Sequence, residues 1–183
     1  MHRDLLLSLL HVYEPADAIE HEMWARTYSF VMNHERCFER SLLAGHVTGS
    51  AWVVADDCHD VLLLHHRKLN KWFQPGGHCD GQSDVAAVAR REVLEETGAS
   101  LRSEPNDTLL PIFDIDIHSI PARGSEPEHL HYDIRFLFRA DRQAPLQPNS
   151  ESRAVRWMAL AEVPTYNASE SILRMVRKTI AMW

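Results

Sequence analysis

The chain has 183 residues, 45% hydrophobic and 25% charged, with a formal net charge of −7. That length supports one compact domain with a core that needs no covalent staples. The acidic balance excludes a general nucleic-acid binder, and an anionic substrate would need a cation between itself and this protein.

The three cysteines, Cys37, Cys58 and Cys79, contain no CxxC pair. Their spacing fits free thiols in a reducing cytoplasm better than a disulfide framework. The apolar run at 5–10 is too short to span a bilayer. It is followed by acidic Glu14 and Asp17, with no small-residue cleavage site, so an amphipathic helix is expected there rather than a leader.

That first helix carries Leu5, Leu6, Leu9 and Leu10 on one stripe and is interrupted at Glu14-Pro15. A second helix is expected over about 17–34, with Ile19, Met23, Tyr28 and Val31 partly periodic. Residues 1–44 thus form a helical extension, read as part of the same compact unit as 45–183. The pattern changes at Gly45. Stretches 47–55 and 61–65 are β-branched or apolar, and the aspartates between them predict a strand pair with a short turn. The run Trp72-Phe73-Gln74-Pro75-Gly76-Gly77 reads as a loop.

A helix then spans 83–98, with Ser83 as cap, Asp84 at the positive end of the dipole and Gly98 as the left-handed terminator. Its small apolar residues Ala86, Ala89 and Val93 share a face. Strands are predicted at 110–117 and 130–138, joined by loop chemistry at 121–128, and a shorter one at 154–158. A closing helix starts near Asn167 or Ser169 and sets Ile172, Val176 and Ile180 on one side. Strands with helices before, between and after them imply an α/β sandwich.

Chemistry concentrates on the helix at 83–98. Glu92, Glu95 and Glu96 stand at i, i+3 and i+4 and converge on one side. Like charges at that spacing destabilise a helix by a few tenths of a kcal/mol per pair in water, and a cation offsets this. Carboxylate oxygens select Mg²⁺, Mn²⁺ or Ca²⁺. The plainer reading is a solvated acidic patch paired with Arg90 and Arg91. The preceding Pro75-Gly76-Gly77 favours the metal platform, because a glycine loop lets backbone approach a helix or a ligand closely.

The stretch GGHCDGQSDVAAVARREVLEETGA, residues 76–99, resembles the signature of the Nudix hydrolase family of MutT-like pyrophosphohydrolases. In it a glycine, here Gly77, leads fourteen residues later to Arg91, Glu92, Val93, Glu95, Glu96, Gly98 and Ala99. One position departs: Ser83 stands where the family usually has glutamate, with Asp80 and Asp84 nearby.

The resemblance covers about 46–183 and implies a Nudix-type α/β/α sandwich with a mixed β-sheet behind the helical extension. It implies hydrolysis of a diphosphate linkage in a nucleoside diphosphate-X compound by water attack, with Mg²⁺ or Mn²⁺. Glu92, Glu95 and Glu96 would hold metal, helped by the Gly77 carbonyl and His78, and Arg91 would orient the glutamates. The base would be a box glutamate or a later carboxylate, with Glu151 the candidate. The expected partner is a small-molecule diphosphate, with no stable nucleic-acid or membrane partner, from a cytoplasmic monomer or homodimer.

Twelve histidines is a high count. On the first of the two later strands Asp114, Asp116 and His118 share a face, and on the second His131, Asp133 and Arg135 do. If the strands pair, these six could line a substrate pocket, or face solvent on a half-exposed sheet. His46, His65 and His66 read as strand-end or surface residues. Two other activities are compatible with the fold. A non-catalytic ligand-sensing domain is disfavoured by the complete glutamate set. An isopentenyl-diphosphate isomerase-like enzyme is disfavoured because Gly76 stands at its cysteine position, although His78 matches its histidine. The identity of X is open, and Trp72, Phe73 and Tyr132 read as core rather than base-stacking residues.

Overall fold

The computed structural model describes residues 2–103, 110–124, 126–150 and 152–182. The chain begins with two helices, α1 (Asp4–His11) and α2 (Ala18–Asn33). Strands β1 (Gly45–Ala55), β2 (Asp60–His66), β3 (Lys71–Phe73) and β4 (Gly76–His78) precede helix α3 (Val85–Thr97). Strands β5 (Ile112–Ile120), β6 (His129–Ala140) and β7 (Ser152–Ala159) and helices α4 (Val163–Tyr166) and α5 (Glu170–Ala181) complete it. Among the described residues the strands pair in the order β3-β2-β1-β6-β5, with β4 on β1 and β7 on β2. The fragment 72–77, expected as a loop, is largely two short strands, because its backbone groups pair although its composition is that of a turn.

The chain divides into two compact units. The first comprises Met1–Ser50, Gly77–Val88 and Leu110–Phe136. Leu6, Leu9 and Leu10 of α1 are buried, and Arg3 Nη1 donates to the Val31 and Met32 carbonyls at 2.7 and 2.8 Å. Those carbonyls belong to the last turn of α2, where a cation is favoured. Asp17 caps the other end, accepting the Glu20 N–H at 2.8 Å.

The buried stripe of α2 is Glu20, Thr27, Phe30 and Val31, and Ile19 is 52% exposed. The apolar pattern did not reveal this, because the inward residue is a carboxylate satisfied locally. Glu20 accepts the Tyr13 hydroxyl and, at 2.6 Å, the Ala16 N–H. Phe30 stacks on Tyr132, with ring centroids 3.9 Å apart, so Tyr132 is a packing residue as expected. Antiparallel β5 and β6 put Asp114 opposite Arg135, Asp116 opposite Asp133 and His118 opposite His131.

The second unit comprises Ala51–Gly76, Ala89–Leu109 and Leu137–Trp183. Here the latter half of β1 pairs with β2, Val53 against Leu62 and Val54 against Val61. β3 and β7 flank β2, both antiparallel. Trp52 is fully buried and its indole N–H donates to Thr179 Oγ1 at 2.8 Å, which satisfies the one polar atom of a large core side chain. Helix α5 buries Ile172, Arg174, Met175, Val176 and Thr179. Ile180, expected on that face, is 60% exposed. Trp72 has two ring contacts: His65 stacks on it at 5.1 Å and the Arg156 guanidinium lies 4.8 Å from its ring.

Candidate functional site

The carboxylate helix owes its ends to short polar chemistry. Asp84 Oδ1 accepts the Ala87 N–H at 3.0 Å, so Asp84 is the N-cap of α3 in place of the expected Ser83. The cap falls one residue later because only Asp84 stands three positions before the N–H it satisfies. At the other end Gly98 has φ +68° and donates its N–H to the Leu94 carbonyl at 3.0 Å. A Cβ there would sit 2.9 Å from Gln147 Cβ, so the terminator is also a close approach.

Val85, Val88, Ala89 and Val93 form the buried side of α3, and Ala86, expected there, is half-buried. A second close approach fixes its start. A Cβ on Gly49 of β1 would lie 2.8 Å from the Val85 carbonyl oxygen. Nothing in the spacing of the sequence marked that glycine.

The three glutamates occupy the last two turns of α3. Arg91 Nη2 donates to Glu92 Oε1 at 2.9 Å, and Arg91 Nε lies 3.7 Å from Glu95 Oε1. The Glu92 side chain is 15% exposed and that of Glu95 is 57% exposed. Glu96 Oε2 accepts the Gly76 N–H at 2.9 Å, while the neighbouring Pro75 carbonyl accepts the Ala51 N–H at 2.9 Å. The glycine loop is therefore tied to β1 on one side and to the acidic helix on the other. Three carboxylates converge here with the Arg91 guanidinium among them, an arrangement that suits a divalent cation. The donors are all hard oxygens, so the set fits such a metal.

The other expected residues fall as follows. Gly77 and His78 lie on β4, both half-buried. Asp114, Asp116, Asp133 and Arg135 are at most 8% exposed, so this face of the strand pair is not turned to solvent. Arg135 reaches Asp133 through Nε at 2.8 Å, Asp114 through Nη1 at 3.1 Å and Asp116 through Nη2 at 3.2 Å. Burial opposes the guanidinium's charge, but Asp116, Asp133 and Asp114 override it and raise its pKa. Asp133 also accepts hydrogen bonds from Thr48 at 2.9 Å and Ser50 at 2.7 Å, two partners the sequence did not flag.

His118 continues this face outward, its Nδ1 3.4 Å from Asp116. His131 is half-buried, and His46, the second residue of β1, is a strand-end side chain as expected but only 2% exposed, which corrects its reading as a surface residue. Glu151 lies outside the described residues.

A mixed sheet and helices, with a glycine loop hydrogen-bonded to a helix that bears a triple-glutamate face, define an α/β protein. Residues 46–178 match the NUDIX domain family model, and the chain belongs to the Nudix family. A curated relative, Nucleoside diphosphate-linked moiety X motif 6 of Xenopus laevis, is 41% identical over 58 residues. That match takes in 30% of this chain and 27% of the relative, so the chain spans about a quarter of the relative's length.

Among solved structures, the C. elegans Ap4A hydrolase binary complex superposes with a TM-score of 0.56 at 17% identity, over 74% of this chain and 96% of that one. A MutT NUDIX hydrolase from Burkholderia pseudomallei gives 0.53 at 19% identity, over 73% and 97%. At these identities the likeness establishes the fold, a Nudix fold with a mixed sheet and helices, here preceded by α1 and α2. No described helix is long and apolar enough to cross a membrane.

Proposed function

We propose that this chain is a divalent-metal-dependent pyrophosphohydrolase acting on a nucleoside diphosphate-X type compound. The observation that carries the reading is the acidic face of α3, where Arg91 braces Glu92 and Glu95 and the Gly76 N–H braces Glu96. Glu92, Glu95 and Glu96 would hold Mg²⁺ or Mn²⁺. When bound, such an ion supplies neutralisation of the diphosphate oxygens and acidification of a bound water. The relatives named Ap4A hydrolase and MutT are consistent with a phosphoanhydride substrate.

The reaction is an in-line displacement. A water oxygen forms a bond to phosphorus, the bridging P–O bond breaks, and the bridging oxygen leaves on the departing phosphate. The water's proton passes to a carboxylate. Glu95, whose side chain is 57% exposed against 15% for Glu92, is proposed for that step, with Glu151 as the second candidate. Arg91 serves as a positioning residue: its fixed fork holds two carboxylates that would otherwise swing apart. Glu96 is oriented by the Gly76 N–H, a backbone donor, as geometry-limited chemistry requires.

The test is Glu95→Gln and Glu96→Gln, each near-isosteric and each removing one negative charge. Turnover should fall by at least about 100-fold in each, the scale of losing a positioned acid–base or metal-binding group. Circular dichroism should be unchanged. Near-normal rates in both variants would refute the assignment. Arg91→Lys, which keeps the charge and loses the fork, should lower kcat more than it raises KM.

A further inference from the structure

A second group of ligand-type side chains is made of histidines rather than glutamates. His46 near the start of β1, His129 and His131 on β6, and His78 at the end of β4 belong to the same compact unit. Ring centroids are 4.7 Å apart for His46–His131, 5.1 Å for His46–His129 and 5.3 Å for His129–His131. His78 lies 5.0 Å from both His46 and His131. One ligand atom each of His46, His129 and His131 lies within 4.8 Å of the others. The sheet produces this convergence: residues 129 and 131 are two apart and project from one face of β6, and β1 is the neighbouring strand.

Two observations distinguish the group from packed core imidazoles. His46 is 2% exposed, and neither of its ring nitrogens has a hydrogen-bond partner among the described residues. The buried Nε2 of His131 has none either. Buried polar atoms are almost always satisfied, so three in one cluster mark a place where something binds. His129 shows the complementary arrangement. Its Nδ1 lies 2.9 Å from the Pro127 carbonyl, which can only accept, so Nδ1 is the donor and Nε2 is the nitrogen left to coordinate. A backbone carbonyl fixing the tautomer of a ligating histidine is the usual outer support of a metal site.

We propose that His46, His129 and His131, with His78 beside them as fourth ligand, form a second metal site that takes Zn²⁺ or a similar transition ion. Imidazoles without carboxylate suit such metals, whereas hard Mg²⁺ prefers the oxygens of the glutamate trio. Burial pushes the pKa of His46 down to about 4 and that of His131 to about 2, and lowers that of His78, so the rings are neutral and able to ligate at pH 7. A tetrahedral ion about 2.05 Å from each nitrogen sets the nitrogens roughly 3.3 Å apart. The separations of up to 4.8 Å therefore close by a modest rotation of the rings. With four histidine ligands the site is closed and holds β1, β4 and β6 together.

This site stands independently of the glutamate-based reading, and its test separates the two. Tag-free, metal-stripped protein is titrated with Co²⁺ in excess Mg²⁺, then with Zn²⁺. The expected result is one tightly bound Co²⁺ per chain with the intense visible absorption of tetrahedral coordination. One equivalent of Zn²⁺ should displace it and raise Tm. Glu95→Gln and Glu96→Gln should retain the signal. His46→Phe, which keeps a buried ring, and His129→Ala, at a half-buried position that tolerates truncation, should each weaken Co²⁺ binding by at least about 100-fold. If His46→Phe fails to fold, His129→Ala decides. Absence of tight Co²⁺ or Zn²⁺ binding, undiminished binding in folded histidine variants, or loss of the signal in Glu95→Gln would each overturn the proposal.

Discussion

Replacing Arg135 by methionine removes a guanidinium and keeps most of the apolar stem. In the native chain this side chain is 3% exposed and serves Asp133, Asp114 and Asp116 at 2.8, 3.1 and 3.2 Å. Without it three carboxylates remain in a sealed face, and the formal charge of the group changes from −2 to −3. Thr48 and Ser50 still serve Asp133. Removing one partner of a buried ion pair costs about 3–5 kcal/mol, because the remaining charge is uncompensated. For a chain of this length that corresponds to a Tm lower by roughly 6–20 °C.

The loss should also depend on pH. In the variant, burial and mutual repulsion would raise the folded-state carboxylate pKa values above the unfolded value of about 3.9. A raised folded-state pKa means that the native state binds more protons. Its relative stability is then greatest at low pH and falls as pH rises through the folded-state value. Urea unfolding at pH 5 and pH 8 should therefore give a larger deficit at pH 8. A deficit below about 1 kcal/mol, or one equal at both pH values, would refute the view that Arg135 neutralises this face.

Asp84→Ala should destabilise by about 1 kcal/mol and Ser83→Ala by less than about 0.5, read by thermal unfolding; the reverse order would restore Ser83 as the cap. Gly49→Ala forces a Cβ to within 2.8 Å of the Val85 carbonyl and should cost about 1–3 kcal/mol in urea unfolding, whereas a neutral result would mean that α3 is free to shift. Cys37 is fully buried and burial pushes its thiol up to about 11. It should therefore resist a thiol reagent at pH 8 until the chain unfolds, and prompt labelling of native Cys37 would contradict its burial.

The elements that carry their own periodicity were legible. The span of α3 and its Gly98 terminator followed from residue type and spacing, as did the strands β5 and β6, whose pairing the sequence left open. The errors have local physical causes. Glu20 faces inward because Tyr13 and the Ala16 N–H satisfy it, so an apolar count selected Ile19 instead. The strands at 71–73 and 76–78 are short and rich in glycine and proline nearby, and only their pairing reveals them.

At the site, the glutamate face was visible from helical spacing, and Arg91 as its brace was implied by the family resemblance. The hydrogen bond from Gly76 to Glu96 was not, since it joins residues 20 apart. Burial was the least legible quantity. Alternation on β5 and β6 looks the same whether the polar face meets water or an arginine. The depth of His46 depends on which strands flank β1.

The most direct measurement is phosphate and pyrophosphate release from a panel of diphosphate compounds. The panel spans nucleoside triphosphates, nucleoside diphosphate sugars, dinucleotides and non-nucleotide diphosphates, each with Mg²⁺, Mn²⁺ or chelator. The account predicts turnover of at least one member with Mg²⁺ or Mn²⁺, abolished by chelator and by Glu96→Gln. Turnover that persists unchanged in chelator, or silence across the panel from folded protein that binds Mn²⁺, would contradict it.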